Sequence, residues 1–156
     1  MALEISTAGI LVKYAIESTA GTRPTTGFKT IPNIKSIPDL NPEPSTLEVT
    51  DLSDVEWRRY IDGLKDVGGA VAFGANYTKA FKETWTGLVA AAKEAKESGK
   101  ATWFEVYVPN FASFFFAGMP SDLGLPSSEV DSVFEGDVYV APNQIEGWGD
   151  STDASL

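Results

Sequence analysis

One amphipathic helix, in a chain otherwise patterned for strands and turns, restricts the possible fold more than any other feature of this sequence. Residues 79–98 carry apolar side chains at helical spacing, and charged side chains occupy the opposite face. Thr78 or Asn76 can cap the first turn, and Gly99 follows the last turn, where glycine commonly ends a helix. We therefore predict a single helix over residues 79–98 that serves as scaffold. Its apolar stripe consists of Phe81, Trp85, Leu88, Val89 and Ala92.

The remaining patterned segments alternate between apolar and polar residues, as the strands of a half-buried sheet do. Most of them are short, and turn residues separate them. Strands that surround one helix indicate an α+β domain dominated by antiparallel sheet. We predict a β-sandwich or small barrel with one flanking α-helix. The predicted strands lie within residues 10–17, 28–37, 45–50, 70–77, 102–108, 112–119 and 133–141.

The length of 156 residues fits one domain. We predict a β-sandwich domain over residues 1–143, followed by a flexible acidic tail over residues 144–156. Within the domain, residues 31–78 begin with prolines and Asx residues that interrupt regular structure. We interpret this segment as a region that contains a long loop.

The residue types available for catalysis are few. The sequence has no cysteine and no histidine, so thiol nucleophiles, thiolate metal sites and the usual general base are excluded. The glycines in residues 69–74 have the spacing of a phosphate-binding loop, but Ala75 and Asn76 stand where that motif needs Lys and Ser or Thr. We therefore predict a protein that is not an enzyme, with no catalytic residues, no cofactor and no metal site.

The charge balance also restricts the possible partners. Twelve Lys and Arg side chains stand against 22 Asp and Glu, which gives a net charge of −10. A chain this acidic repels a polyanion and cannot hold DNA by neutralising its phosphates. No apolar run approaches the roughly 20 residues that span a bilayer, and the N-terminus lacks the pattern of a signal peptide. We expect no membrane binding and no export.

An acidic turn followed by an aromatic and basic cluster is the main candidate site. Trp, Tyr and Arg are the residue types in which protein interfaces are enriched, and the acidic turn directly precedes them. We predict that this segment makes contacts between copies of the chain. Head-to-tail contacts of that kind generate rings or open filaments. The predicted contact residues are Asp51, Asp54, Trp57, Arg58, Arg59, Tyr60 and Leu64.

The order of features in residues 31–78 resembles the major tail tube proteins of long non-contractile-tailed (siphovirus-type) bacteriophages. A proline-broken lead-in precedes an N-P-E-P-S-T element, a T-x-L-x-D turn, W-R-R-Y and a G-L-K-D turn, and these recur there in this order. The resemblance continues through the helix, the F-E-V-Y-V strand and a phenylalanine strand that ends in Phe116-Ala117-Gly118. A D-L-G-L-P turn follows it.

This resemblance implies a β-sandwich subunit with one flanking helix that assembles into hexameric rings. The rings stack into the hollow tube through which double-stranded DNA leaves the capsid, and the DNA passes without specific binding. The long loop is expected to reach neighbouring subunits. The other implied partners are the tape-measure protein and the tail-tip and terminator proteins. The implied location is the virion tail, assembled in the cytoplasm of the bacterial host.

The resemblance gives the acidic charge a role. Six copies would place roughly sixty negative charges in each ring, so a lumen lined by some of them would repel DNA and let it slide. On the strand over residues 102–108, alternation directs Trp103, Glu105 and Tyr107 outward. We take outward-alternating carboxylates as candidates for the lumen. They are Glu48, Glu105, Glu135 and Asp137.

Two alternatives remain open from the sequence. One is the tube protein of a contractile secretion system, which also forms rings. The other is a monomeric β-sandwich whose aromatic side chains stack on a carbohydrate or peptide ligand. Self-association separates the assembly hypotheses from the ligand-binding one, since a binding module is expected to stay monomeric.

Overall fold

A computed structural model describes residues 4–41, 45–64 and 69–152 of the chain. The fold is centred on one antiparallel sheet of seven strands. A separate pair of strands lies between the third and the sixth strand in chain order. The elements are β1 (Leu11–Ile16), β2 (Lys29–Thr30), β3 (Ile34–Ser36), β4 (Thr46–Glu48), β5 (Tyr60–Asp62), β6 (Val71–Asn76), α1 (Lys79–Glu97), β7 (Thr102–Val108), β8 (Ala112–Pro120) and β9 (Glu135–Gly149).

The seven-stranded sheet has the order β2-β1-β7-β8-β9-β6-β3, and all of its neighbouring strands run antiparallel. Strands β4 and β5 form the separate pair. One helix flanks this mainly antiparallel fold, as the sequence predicts. Its large strands belong to one sheet.

The helix begins and ends where the sequence predicts. The Phe81 amide donates to the Thr78 hydroxyl over 3.1 Å, which makes Thr78 the N-cap. At the other end, Gly99 adopts φ +74°, a conformation that glycine tolerates and other residues rarely adopt. Between these two ends, the side chains of the apolar stripe of α1 are buried in the core.

The main core lies between α1 and one face of the sheet. The ring of Phe116 stacks between those of Phe104 and Phe73, with centroid distances of 5.2 and 6.3 Å. From the helix, Trp85 is buried, and its indole N–H donates to the Ser121 carbonyl over 3.0 Å. This bond satisfies the one polar group of the indole, so the ring can be buried without a desolvation cost.

The opposite face of the central strands is buried as well. Residues 17–28 cross it, and Phe28 packs edge-on against Phe115 with 6.1 Å between centroids. The Arg23 guanidinium lies 3.8 Å from the centroid of the Phe115 ring and forms an ion pair with Glu146. The centre of the sheet is therefore covered on both sides.

The outward orientation predicted for Glu105 is wrong, because Glu105 has 0% of its surface exposed. It accepts hydrogen bonds from the hydroxyls of Ser113 and Thr152, the latter over 2.6 Å, and it lies opposite Lys13 in the β1–β7 pairing. Trp103, which was also predicted to face outward, is buried on the same face. Alternation indicates which residues share a face, but it does not show that a loop covers that face.

The predicted start of the acidic tail is also wrong. Residues 144–149 form the end of β9 and pair with β8, with Ile145 opposite Phe116 and Trp148 opposite Phe114. The register of this pairing shifts twice, which breaks the regular alternation that marks a strand in a sequence. Residues 153–156 of the predicted tail lie outside the described residues.

Glu17 fixes the segment that covers the second face. Its carboxylate accepts bonds from the Ala101 and Gly21 amides and from the Trp103 indole N–H, over 2.9, 3.1 and 2.8 Å. Burial of Glu17 opposes its ionisation, but the bonds from Ala101, Trp103 and Gly21 outweigh burial and lower its pKa below the ordinary 4.5. The charged form of Glu17 is therefore the one that the fold stabilises.

We predict that Glu17→Gln lowers the free energy of unfolding near neutral pH by about 1–3 kcal/mol, because an amide cannot accept all three bonds. Since the folded pKa is lowered, the stabilisation by Glu17 is present above pH 4.5 and is lost as pH falls through the folded pKa. Urea unfolding of wild type and variant across this range should show their difference shrinking toward acid. A difference that stays constant with pH would contradict this prediction.

Candidate assembly interface

We call residues 45–64, which contain strands β4 and β5, the arm. Its strands pair in register, with Leu47 opposite Ile61, and within the described residues neither of them pairs with another strand. At the base of the arm, the Gly63 amide donates to the Ser45 carbonyl over 2.8 Å, and the Ser45 hydroxyl donates to the Leu64 carbonyl over 2.6 Å. The arm is therefore an ordered hairpin that is closed at its base.

A network around Arg59 fixes the turn at the tip of the arm. The Arg59 side chain donates to Asp54 over 2.8 Å and to Asp51 over 3.3 Å, and its amide donates to the Thr50 hydroxyl over 2.8 Å. The Asp51 amide donates to the Asp54 carboxylate, and the Asp54 amide donates to the Asp51 carbonyl. The Asp51 carboxylate also accepts a bond from the Ser53 amide over 2.8 Å. These short-range bonds hold the tip in one shape.

The same bonds lower the pKa of both aspartates. For Asp51, the largest cause is the bond from the Ser53 hydroxyl, followed by that from the Ser53 amide. For Asp54, the bond from the Asp51 amide comes first and the Arg59 guanidinium second. Both carboxylates are therefore held in the charged form within the tip.

The arm exposes several large apolar side chains to solvent. Trp57 is 79% exposed although it is among the largest apolar side chains in the chain. Contiguous exposed apolar residues on a soluble domain mark sites of protein interaction. The arm is the main candidate for such a site. Its exposed apolar side chains are Leu47, Val49, Leu52, Val55, Trp57, Tyr60, Ile61 and Leu64.

All seven residues predicted from the sequence as inter-subunit contacts lie on the arm, and they fall into two groups. Asp51, Asp54 and Arg59 bond one another and shape the tip. Exposed side chains that are available to a partner form the second group, which consists of Trp57, Arg58, Tyr60 and Leu64.

Several other exposed apolar residues of the arm have no distinguishing sequence pattern. Leu52 and Val55 are isolated between polar residues in the turn, so no pattern distinguishes them from core positions. Leu47 and Ile61 belong to the alternating strands, where an apolar residue normally predicts a buried side chain. Only the separation of the arm from the core shows that they are exposed.

The predicted lumen carboxylates are distributed over two regions. Glu48 lies on the arm and is exposed. Glu135 and Asp137 lie on β9 on the face opposite to the helix, where both are exposed, and Lys35 forms an ion pair with Glu135. Glu105, the fourth candidate, is buried as described above. Among the described residues, Asp137 is therefore the candidate on the sheet that forms no ion pair.

No cluster that could hold a metal ion is found in the described ranges, because no three His, Cys, Asp or Glu side chains there are suitably grouped. Over the same residues, the helix is not apolar enough to cross a membrane.

Comparison with solved structures gives a match to the fold. A chain from the tail of an empty GTA particle, computed with helical refinement and C6 symmetry, is similar with a TM-score of 0.54 and 14% sequence identity, and the match covers 88% of this chain and 94% of that one. This likeness confirms the predicted tail tube-like fold class. A chain of the phage p2 baseplate, in its activated conformation with Sr, has a TM-score of 0.42 and 13% identity, and the match covers 88% of this chain but 45% of that chain.

Comparison of the sequence alone gives no match, either to a protein-family model or to a curated protein.

We predict that Arg59→Ala loosens the tip of the arm and that Arg58→Ala does not, because, of these two arginines, Arg59 is the one that bonds the tip aspartates in the part of the chain that the structure describes. Amide hydrogen exchange measured by NMR should become faster at Asp51, Ser53 and Asp54 in the Arg59 variant, while exchange in β7 and the urea midpoint stay unchanged. Equal exchange in the two variants would show that the guanidinium does not hold the tip.

Proposed function

We propose that this protein is the structural subunit of a bacteriophage tail tube, of the long non-contractile type, and that it assembles into stacked hexameric rings around a conduit for double-stranded DNA. One observation carries the proposal: a tail tube-like fold presents an ordered arm with eight exposed apolar side chains. The C6 symmetry of the GTA tail, to which the fold is similar, supports six copies in each ring.

The arm favours assembly for an energetic reason. Exposed apolar surface gains free energy when a partner removes it from water, at about 25 cal/mol per Å². Because its own bonds already hold the arm in shape, little conformational entropy is lost when a neighbouring copy binds it. A large rigid ring such as that of Trp57 is the kind of residue that dominates interface energies.

The charge of the chain fits a conduit for DNA. Each copy has a net charge of −10, and Glu135 and Asp137 lie on an exposed face of the sheet. We propose that this face lines the lumen, with Asp137 contributing more repulsion because Lys35 neutralises Glu135 locally. Glu48, which lies on the arm, contributes to the lumen if the arm lines it.

The remaining parts of the proposal follow from the family that the sequence resembles. The tube would enclose the tape-measure protein during assembly and would end at tail-tip and terminator proteins. Its location would be the virion tail after assembly in the host cytoplasm. The protein would act by its shape and charge and would not catalyse a reaction.

We predict that the wild-type protein forms rings or hollow tubes in negative-stain electron microscopy across a concentration series. Trp57→Ala should weaken this assembly by about 30-fold in concentration, the effect of removing an interface residue worth about 2 kcal/mol. Light scattering on the same samples measures the shift.

The matched control for Trp57→Ala is Lys96→Ala, an exposed change at the far end of α1 that should leave assembly unchanged. Circular dichroism should show that both variants keep the wild-type fold. A wild-type chain that stays monomeric at every concentration would contradict self-assembly and would favour the ligand-binding alternative.

A further inference from the structure

A cleft lies beside the first turn of α1. Its volume is about 450 Å³, within the range of sites that enclose a ring system. Its walls come from two sides: the start of α1 and the connection between β8 and β9. The lining side chains that could contact an occupant are Tyr77, Leu123, Leu125, Phe134, Lys79 and Lys82.

The apolar wall of the cleft is preformed. The Tyr77 ring stacks on the buried Phe81 at 5.6 Å and meets Phe134 edge-on at 5.4 Å, so the core fixes its position. At the mouth, Leu125 is 88% exposed, and Phe134 is about half exposed. An aromatic side chain that enters the cleft would therefore find rings already held in place and would cover Leu125.

The rim of the cleft is basic. Lys79 and Lys82 stand in the first turn of α1, and that turn contains no acidic residue. Neither lysine forms an ion pair within the described part of the chain. In a chain with a net charge of −10, this is a local region of positive charge next to an apolar cleft. It favours an occupant that is aromatic and acidic together.

The tip of the arm has this composition. The arm carries five acidic side chains and two arginines, a net charge of −3. Because Arg59 already bonds Asp51 and Asp54, Glu56 is the acidic side chain beside Trp57 that remains for a partner. Lysine ammonium groups also interact favourably with the face of an indole ring.

We infer that the cleft beside α1 receives the tip of the arm of a second copy, with Trp57 against Tyr77 and Leu125 and with Glu56 near Lys82. This inference rests on the proposed function and adds the surface that the arm binds. Because the arm and the cleft are different surfaces, the contact is heterologous, and each copy offers one of each. Such contacts continue from copy to copy, as rings and stacked rings require.

A second cleft on the same chain is larger, at about 610 Å³, but it suits the arm less well. Ile37, Phe114 and Trp148 line it, so it is apolar. Among the described residues no lysine or arginine lines it, and Asp39 does, where it would repel the acidic tip. Charge therefore selects the cleft beside α1 as the receptor.

The absence of cysteine from the sequence allows a direct test by cross-linking. Val55→Cys on the arm and Leu125→Cys in the cleft are separate single variants at exposed positions, so a disulfide between them joins two copies. We expect the mixture, after oxidation, to give at least about tenfold more mixed dimer than Val55→Cys with Ala90→Cys, because docking raises the effective concentration of the thiols. Ala90 is exposed on α1 outside the cleft.

A charge exchange gives a second readout. Lys82→Glu should reduce the cross-linking of the Val55 and Leu125 variants, and Glu56→Lys on the arm partner should restore it. Restoration would not follow if Lys82→Glu merely disturbed the fold. Failure of the exchange to restore cross-linking, with both proteins folded, would overturn the pairing of Glu56 with Lys82.

The outcomes separate this inference from the proposed function. Wild-type tubes together with cross-linking no greater than the control overturn the cleft as receptor and leave the tube subunit standing. Strong cross-linking without rings or tubes supports the arm–cleft contact and contradicts the tube. A monomeric wild type with control-level cross-linking overturns both.

Discussion

Burial of both faces of β7 and β8 is the constraint on which the rest of this structure depends. Helix α1 covers one face with an apolar stripe, and residues 17–28 cover the other. The second face can be buried because its carboxylates have donors: Glu17, at the start of the covering segment, accepts three bonds, and Glu105, on β7, accepts those of Ser113 and Thr152. Buried carboxylates without such partners would cost several kcal/mol each, so these bonds decide whether the cover can form.

A core that is complete without the arm has a consequence for function. The sheet and α1 bury their apolar side chains against each other. The apolar side chains of the arm lie outside this core and are exposed. The arm keeps its shape through local bonds, chiefly those of Arg59 to the two tip aspartates. A surface that is ordered by its own bonds and apolar on its outside is suited to contact another copy, because little conformational entropy remains to be lost on binding.

The sequence predicted the helix, most strands and the position of the arm, and it offered Thr78 as one of two candidates for the helix cap, since each depends on neighbours within a few residues. It misjudged Glu105 and the end of β9. Alternation assigns Glu105 to a face, but only residues 17–28 and Thr152, which are distant in sequence, make that face buried. Register shifts, and the glycines and proline within β9, hide its last residues from any pattern of period two.

By itself, the sequence determined the class of fold, the acidic charge, the absence of thiol and imidazole chemistry, and which segment carries the aromatic and basic cluster. These are properties of composition and of local periodicity. The tertiary structure decided which carboxylates reach solvent, that Arg59 shapes the tip of the arm while Trp57 projects from it, and that a basic-rimmed apolar cleft lies beside α1. Exposure and clefts arise where segments far apart in the chain meet, and the spacing of neighbouring residues does not encode that meeting.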